Sequence, residues 1–306
     1  MTTTDKIWMD GVLVDWDDAQ VHVLSHSLHY GLGVFEGIRC YRCEDGGSAV
    51  FRLDDHARRL RDSAHILGLD CPWSQDEIAT ACLDTIKANG LEECYIRPLL
   101  FLGEGEMGLA ATSNKVHLSI AAWPWGAYLG DDAIKNGIRL KTSSLQRYTV
   151  NSFMTKAKAT GQYINSILAS REAANSGYDE ALLLDVDGFV AEGCGENLFM
   201  ARGGRVKTPN IATVLEGITR DTVITLLRDQ GVELVEERFT RDEIYIADEA
   251  WFTGTAAEIT PIASLDDRKV GPGKPGPITK ALQEVFFAAI KGKEPSYEHW
   301  LTRVPS

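Results

Sequence analysis

The sequence predicts an α+β protein of two domains, on three observations. At 306 residues, 44% of them hydrophobic, the chain can bury a large core and sits at the length where single cores divide. Strand-like and helix-like stretches follow one another without strict alternation, which argues against a single Rossmann sheet. The segment WPWGAYLGDD, residues 123–132, is aromatic, glycine-bearing and broken by proline, the composition of a linker. Together these place a small N-terminal α/β domain at 1–124, a linker at 125–135 and a larger domain at 136–306.

Each element has its own warrant. Val21 to Leu24 is rich in β-formers and reads as a strand. DDHARRLRDSAHILG sets Ala57, Leu60, Ala64 and Leu67 on one helical face, with Gly68 as the stop. SQDEIATACLDTIKANG opens on a capping box, Ser74 with Glu77, and stops at Asn89-Gly90. CYIRPLLFL and KVHLSIAAW read as strands, and so does IRLKTSSL beyond the linker. A helix follows from about Thr160 to Ala174, and in ALLLDVDGFVAEG the pair Asp187-Gly188 turns a hairpin. Thr219 leads a helix that carries Val223, Leu226 and Leu227 inward and ends at Gly231. After DEAWFTGTAAEITPI, the last helix starts near Pro277, with Ile278, Leu282, Val285 and Phe286 at helical spacing.

Composition excludes several functions. The net charge of −13 gives an acidic surface that repels nucleic-acid phosphates and anionic lipid, so neither nucleic acid nor membrane is expected as a partner. MTTTDKIWMDG has no apolar stretch behind a basic start, and nowhere do eighteen apolar residues run together, which predicts a cytoplasmic chain. Six cysteines in this length read as thiols rather than a disulfide framework. Cys40 and Cys43 form a CxxC, but no second ligand pair follows at zinc-ribbon spacing. His22, His26 and His29 would align only on a continuous helix, and the VHV before them is strand-like, so no metal is expected. GLGVFEG, residues 31–37, begins like a dinucleotide fingerprint, yet Glu36 stands where the third glycine belongs. Neither G-x-S-x-G nor a Walker loop is present.

TKAKATGQY, residues 155–163, surrounds Lys156 and Lys158 with Ala, Thr and Gly. A lysine that forms a Schiff base needs a neutral amine and open space for a ring, so small neighbours suit it. Spacing alone does not choose between the two lysines, and two surface lysines at a helix start would look the same.

The blocks HVLSHSLHYGLGVFEGIRCY, YIRPLLFL, WPWGAYLG, KAKATGQYINSILA, EGCGENLF, LEGITRD and FTGTAAEITPI follow one another over nearly the whole chain. In that order and spacing the chain resembles the branched-chain amino acid aminotransferases, pyridoxal-phosphate enzymes of fold-type IV. The resemblance implies the two-domain, D-amino acid aminotransferase-like fold and pyridoxal 5′-phosphate as cofactor. It puts the catalytic, cofactor-bonding lysine at Lys158, the one followed by A-x-G-x-Y, with Lys156 a bystander. Tyr163 matches the tyrosine that hydrogen-bonds the cofactor's phenolic oxygen, a role compatible with packing against Ile167. Glu192 resembles the glutamate that faces the pyridine nitrogen, with Glu196 the competing candidate from the same block. Gly217, Ile218 and Thr219 precede a helix, where free N–H groups and the positive dipole end can receive a phosphate. Leu215, Gly254, Thr255 and Arg59, the last flanked by Arg58 and Arg61, complete the implied cofactor set.

For substrate, Tyr95 and Arg97 are two apart on a strand and project from the same face. The resemblance sets them with Arg39 at a pocket rim that receives the side-chain carboxylate of glutamate. Phe35, Gly37, Tyr30, Tyr128 and Trp125 would line the apolar walls for leucine, isoleucine and valine. Gly254, Thr255 and Ala256 would offer N–H groups to the α-carboxylate. Tyr30 and Leu109 reach the partner subunit's site in relatives, so a homo-oligomer with the dimer as its basic unit is implied. The implied reaction is a ping-pong transamination between amino acids and 2-oxo acids. D-amino acid aminotransferases and aminodeoxychorismate lyases share the lysine, the glutamate and the phosphate cup, but the YIRP strand and the GAYLG linker favour the branched-chain branch. A catalytically silent binding protein of the same fold is the remaining alternative, and the intact Lys158, Tyr163, Glu192 and Thr255 stand against it.

Overall fold

The structure is a computed structural model that describes residues 3–125 and 130–305. The chain folds into two compact units, each assembled from separate stretches: Met1–Gly126 with Lys156–Gln162 and Ala288–Ser306, and Ala127–Thr155 with Tyr163–Phe287. Among the described residues, no helix is long and apolar enough to cross a membrane.

Among the described residues, the first unit is built on an eight-stranded antiparallel sheet. Its strands run in the order Leu301–Arg303, Ser48–Phe51, Ile38–Arg42, Cys94–Leu102, Val116–Trp123, Lys6–Met9 and Val12–Asp15, with Gly33–Phe35 also on Cys94–Leu102. Helices Leu53–Ile66 and Gln75–Ala88 form where the apolar spacing predicts them. The second opens on its capping box, Ser74 Oγ accepting from Glu77 N–H at 3.2 Å and Glu77 Oε2 from Ser74 N–H at 2.7 Å. Leu53, Leu60, Ile78 and Ile86 bury against Ile38, Ile96, Leu100 and Ile120 of the sheet, each such burial contributing about 1.5–3 kcal/mol. Strand alternation then turns Phe35, Arg39, Tyr95 and Arg97 to the opposite face.

Gly33–Phe35 and Ile38–Arg42 are one strand, interrupted. Phe35 pairs with Leu99 and Ile38 with Ile96, so the register runs through and sets Glu36 opposite Pro98. Glu36 N–H donates to Pro98 O at 2.9 Å, but proline has no N–H to return the bond. The ladder opens at Glu36 and Gly37, in the middle of the sheet.

The strand expected at Val21–Leu24 does not form. Leu24 N–H donates to His22 Nδ1 at 3.1 Å and Ser25 N–H to His22 O at 2.9 Å, closing a turn. Val23 is 73% exposed; β-formers there have no pleated neighbour to pack against, and propensity alone does not make a strand.

Among the described residues, the second unit carries a nine-stranded mixed sheet, in the order Val190–Glu192, Glu180–Leu184, Ile138–Thr142, Glu258–Leu265, Glu249–Gly254, Asn197–Arg202, Arg205–Thr208 and Leu234–Glu236. Arg268–Lys269 pairs with Glu258–Leu265. The hairpin at Asp187-Gly188 joins the first two strands antiparallel, as expected. Helix Tyr163–Asn175 follows a 3₁₀ turn at Thr160–Gln162 and lays Ala169 and Ala173 on Ala181 and Leu183. Helix Ile218–Asp229 buries Val223, Leu226 and Leu227. Helix Pro277–Ile290 is capped from a strand: Glu249 Oε1 accepts from Ile278 N–H at 3.0 Å and Oε2 from Thr279 N–H at 2.8 Å.

Candidate active site

Lys158 belongs to the first unit and its backbone is held from two sides. Its N–H donates to Ser63 Oγ at 3.0 Å, from helix Leu53–Ile66, and its carbonyl accepts from Phe35 N–H at 3.1 Å. Its Nζ lies 5.0 Å from the centre of the Phe35 ring. The small neighbours are explained by crowding: Ala157 and Ala159 are buried, and Ala159 bridges Val34.

The sheet face that carries Phe35 forms an aromatic wall with one cation. Arg97 Nη2 donates to Tyr95 Oη at 3.1 Å, and the guanidinium lies 4.8 Å from the Phe35 ring centre and 5.2 Å from that of Tyr95. Tyr95 is itself flanked by Trp123 and Trp125, each 5.3 Å away. Its hydroxyl requires glycine at Gly37, where a Cβ would fall 1.9 Å from it. Among the described residues no carboxylate pairs with Arg97, and its Nε is buried without an acceptor. Arg39 shares the face, in register with Tyr95, but is buried with Glu93 at 3.6 Å and the Tyr41 ring at 4.8 Å. Tyr30 is partly exposed and Leu109 is 89% exposed, while Tyr128 lies outside the described residues.

Arg59 lies on the buried side of the Leu53–Ile66 helix. Its Nε donates to Glu36 Oε1 at 2.7 Å and its Nη2 to Glu36 Oε2 at 2.8 Å, a bidentate pair. His56 Nδ1 is 2.7 Å from the same Oε2. Burial pushes the Glu36 carboxyl up, but the charge of Arg59 and the hydrogen bonds from Arg59 and His56 outweigh it and hold the group well below the usual carboxylate range. Burial drives the His56 imidazole below its ordinary value against the pull of Glu36, so the ring is neutral and donates through Nδ1–H to an oxygen that can only accept.

In the second unit Glu192 and Glu196 are both buried but differently held. Glu192 pairs with Arg147 at 2.6 Å, and its Oε2 accepts from Asn197 Nδ2 at 3.2 Å and Leu215 N–H at 3.3 Å. Glu196 accepts from Gly195 N–H at 2.9 Å, and Gly254 lies against its side chain. Arg147 also stacks on the Tyr148 ring at 3.9 Å. Tyr163 opens its helix and is partly buried, and Ile167, one turn on, is 47% exposed. Gly217 caps helix Ile218–Asp229 without a side-chain hydrogen bond, so the first N–H groups of that helix remain available to an anion. A Cβ on Gly217 would fall 2.0 Å from Asn197 Oδ1, so glycine is required at this cap too. Thr255 and Ala256 follow the strand Glu249–Gly254 in a turn and are partly exposed. This donor set fits a phosphorylated, nitrogen-containing ring: helix N–H groups for the phosphate and a buried carboxylate for a ring nitrogen.

Comparison with known proteins gives the family. Residues 33–265 match the family described as amino-transferase class IV. A branched-chain-amino-acid aminotransferase from Pseudomonas aeruginosa is 53% identical over 298 residues, covering 97% of each chain. The chain belongs to the class IV aminotransferases. Among solved structures, the branched-chain amino acid aminotransferase of Escherichia coli superposes with a TM-score of 0.97 at 45% identity, over 99% of this chain and 100% of that one. The branched-chain amino acid aminotransferase from Thermobaculum terrenum, in its PLP form, superposes with a TM-score of 0.93 at 37% identity, covering 99% of both.

Several residues near the candidate side chains have no individual role in the sequence. Glu36 stands in one of the seven blocks, but by itself it reads as the residue that spoils a glycine fingerprint. The better signal is a lone acid inside an apolar strand, because a carboxylate there must be paired. Ser63, His56, Trp123 and Arg147 have partners far along the chain, so no local pattern marks them.

Proposed function

We propose that this chain is a branched-chain amino acid transaminase, moving an amino group between leucine, isoleucine or valine and 2-oxoglutarate with pyridoxal 5′-phosphate as cofactor. The observation that carries the substrate assignment is Arg97: one guanidinium with no acidic partner among the described residues, set among the Phe35, Tyr95 and Trp125 rings. Such a wall takes an alkyl side chain on its rings and a distal carboxylate on its cation. The unit of action is a homodimer, a reading that exposed Leu109 and Tyr30 support, and the six free thiols suit the cytoplasm.

When bound, pyridoxal phosphate supplies an aldehyde for the substrate amine and a ring that draws electrons from the substrate's α-carbon. Lys158 Nζ would hold the cofactor and, as a free amine, would take and return the proton at the substrate Cα. Glu192, oriented by Arg147 and Asn197, holds a proton on the pyridine nitrogen. Tyr163 hydrogen-bonds the phenolic oxygen. The N–H groups of Gly217 to Thr219, with Arg59 and Thr255, hold the phosphate. Gly254, Thr255 and Ala256 receive the α-carboxylate.

Lys158→Ala should eliminate covalent cofactor and turnover, and Lys156→Ala should keep both. Borohydride reduction followed by peptide mapping reads the attachment directly; a pyridoxyl group on Lys156 would overturn the assignment. Single-turnover reaction of the unmodified protein with leucine and with glutamate tests the substrates, and no reaction with leucine would refute the branched-chain reading.

A further inference from the structure

Glu36 is fully buried, and nothing in the reaction described above uses it. A carboxylate in that position carries a desolvation penalty that an apolar side chain would not, repaid only where its geometry with a cation is good. Here the geometry is good: Arg59 and His56 meet it from the helix, and Gly37 N–H donates to Oε2 at 3.3 Å from its own strand. Both oxygens take the Arg59 fork, at 2.7 and 2.8 Å, and His56 adds a third bond at 2.7 Å that keeps the carboxylate from rotating away. His56, Arg59 and Ser63 occupy positions i, i+3 and i+7 of one helix, so the face that clamps Glu36 also carries the hydroxyl that holds the Lys158 backbone. On the strand side, Glu36 sits where Pro98 opens the ladder, between Phe35, bonded to the Lys158 carbonyl, and Gly37, under the Tyr95 hydroxyl.

We propose that Glu36, steadied by His56, is a positioning residue that fixes the guanidinium of Arg59 for the cofactor phosphate. The inference rests on the reading that Arg59 meets that phosphate. A bidentate carboxylate sets both the position and the plane of a guanidinium, and so removes in advance the rotamer freedom a long side chain would lose on binding. It also cancels the arginine's charge, so Arg59 contributes oriented N–H donors rather than net positive potential. A simple brace between helix and sheet would need neither the fork geometry nor the charge.

The test is cofactor retention by the intact protein, measured as dissociation constants for pyridoxal 5′-phosphate and for pyridoxal, which lacks the phosphate. Glu36→Gln should weaken the phosphorylated form about tenfold and leave pyridoxal unchanged. In an Arg59→Ala background the same substitution should have no further effect, because Glu36 acts through Arg59. His56→Gln, which leaves the Glu36–Arg59 pair in place, should show the same phosphate-selective pattern at about two- to threefold, and decides the matter if Glu36→Gln does not fold. Equal losses for both forms, an undiminished loss in the Arg59→Ala background, or no loss at all would overturn the positioning role. Arg59→Ala retaining the phosphorylated form as the unmodified protein does would instead remove the reading on which the inference rests, and the inference with it.

Discussion

Arg59 is clamped by the fully buried Glu36 in a bidentate pair at 2.7 and 2.8 Å, whereas Arg97, in the same unit, stands between two aromatic rings with the Tyr95 hydroxyl as its one hydrogen-bond acceptor among the described residues. The residue type is the same and the surroundings are opposite. An arginine whose charge is matched inside the protein offers direction, because its N–H groups are fixed before any ligand arrives. An arginine without an acidic partner offers charge, and a ligand carboxylate completes it. On the proposed reading, the first would serve every substrate equally, since all would share one cofactor, and the second would separate substrates that carry a distal carboxylate from those that do not.

Three measurements would sharpen or break that contrast. The largest effect is on stability. Arg59→Ala leaves Glu36 buried without its cation and should cost about 3–5 kcal/mol, seen as a lower urea midpoint, while Arg97→Ala strands no acid and should cost less than about 1 kcal/mol. Similar losses for the two variants would erase the distinction. Next comes selectivity. Arg97→Ala removes a charge-assisted contact of about 1.5–3 kcal/mol from one substrate, so kcat/KM for the glutamate half-reaction should decline roughly ten- to a hundredfold while leucine loses far less. If both substrates declined together, Arg97 would be a strand brace rather than a carboxylate receptor.

The smallest effect is in acid. Because Arg59 and His56 depress the Glu36 carboxyl below its unfolded value, against the upward push of burial, the group adds stability that is complete above the ordinary glutamate range. That contribution is lost as pH falls from there through the depressed folded value. Glu36→Gln should therefore flatten the decline of the urea midpoint below about pH 4.5, whereas Arg97→Ala should leave the slope unchanged. An unaltered slope in Glu36→Gln would mean that the carboxylate is not ionised through that pair.

Periodicity was sufficient where an element makes its own case. The capping box of Ser74 and Glu77, the Ala57, Leu60 and Ala64 stripe, and the Asp187-Gly188 hairpin each depend on residues within a few positions of one another. Tyr95 and Arg97 share a face because a strand repeats every two residues, and their hydrogen bond follows. Val21–Leu24 shows the limit: its β-formers had no partner strand, and a strand is a property of two segments rather than one.

The sequence by itself determined the α+β class, most helix and strand positions, and, through seven ordered blocks, the family. Only the tertiary structure decided which buried acid meets which cation. Glu36 joins Arg59 and His56, Glu192 joins Arg147, and the C-terminal strand Leu301–Arg303 returns to pair with Ser48–Phe51. The physical reason is range. Hydrogen-bonding geometry and hydrophobic alternation act between near neighbours and leave a period in the sequence, while a buried ion pair is satisfied by any partner that folding brings within about 3 Å and leaves none.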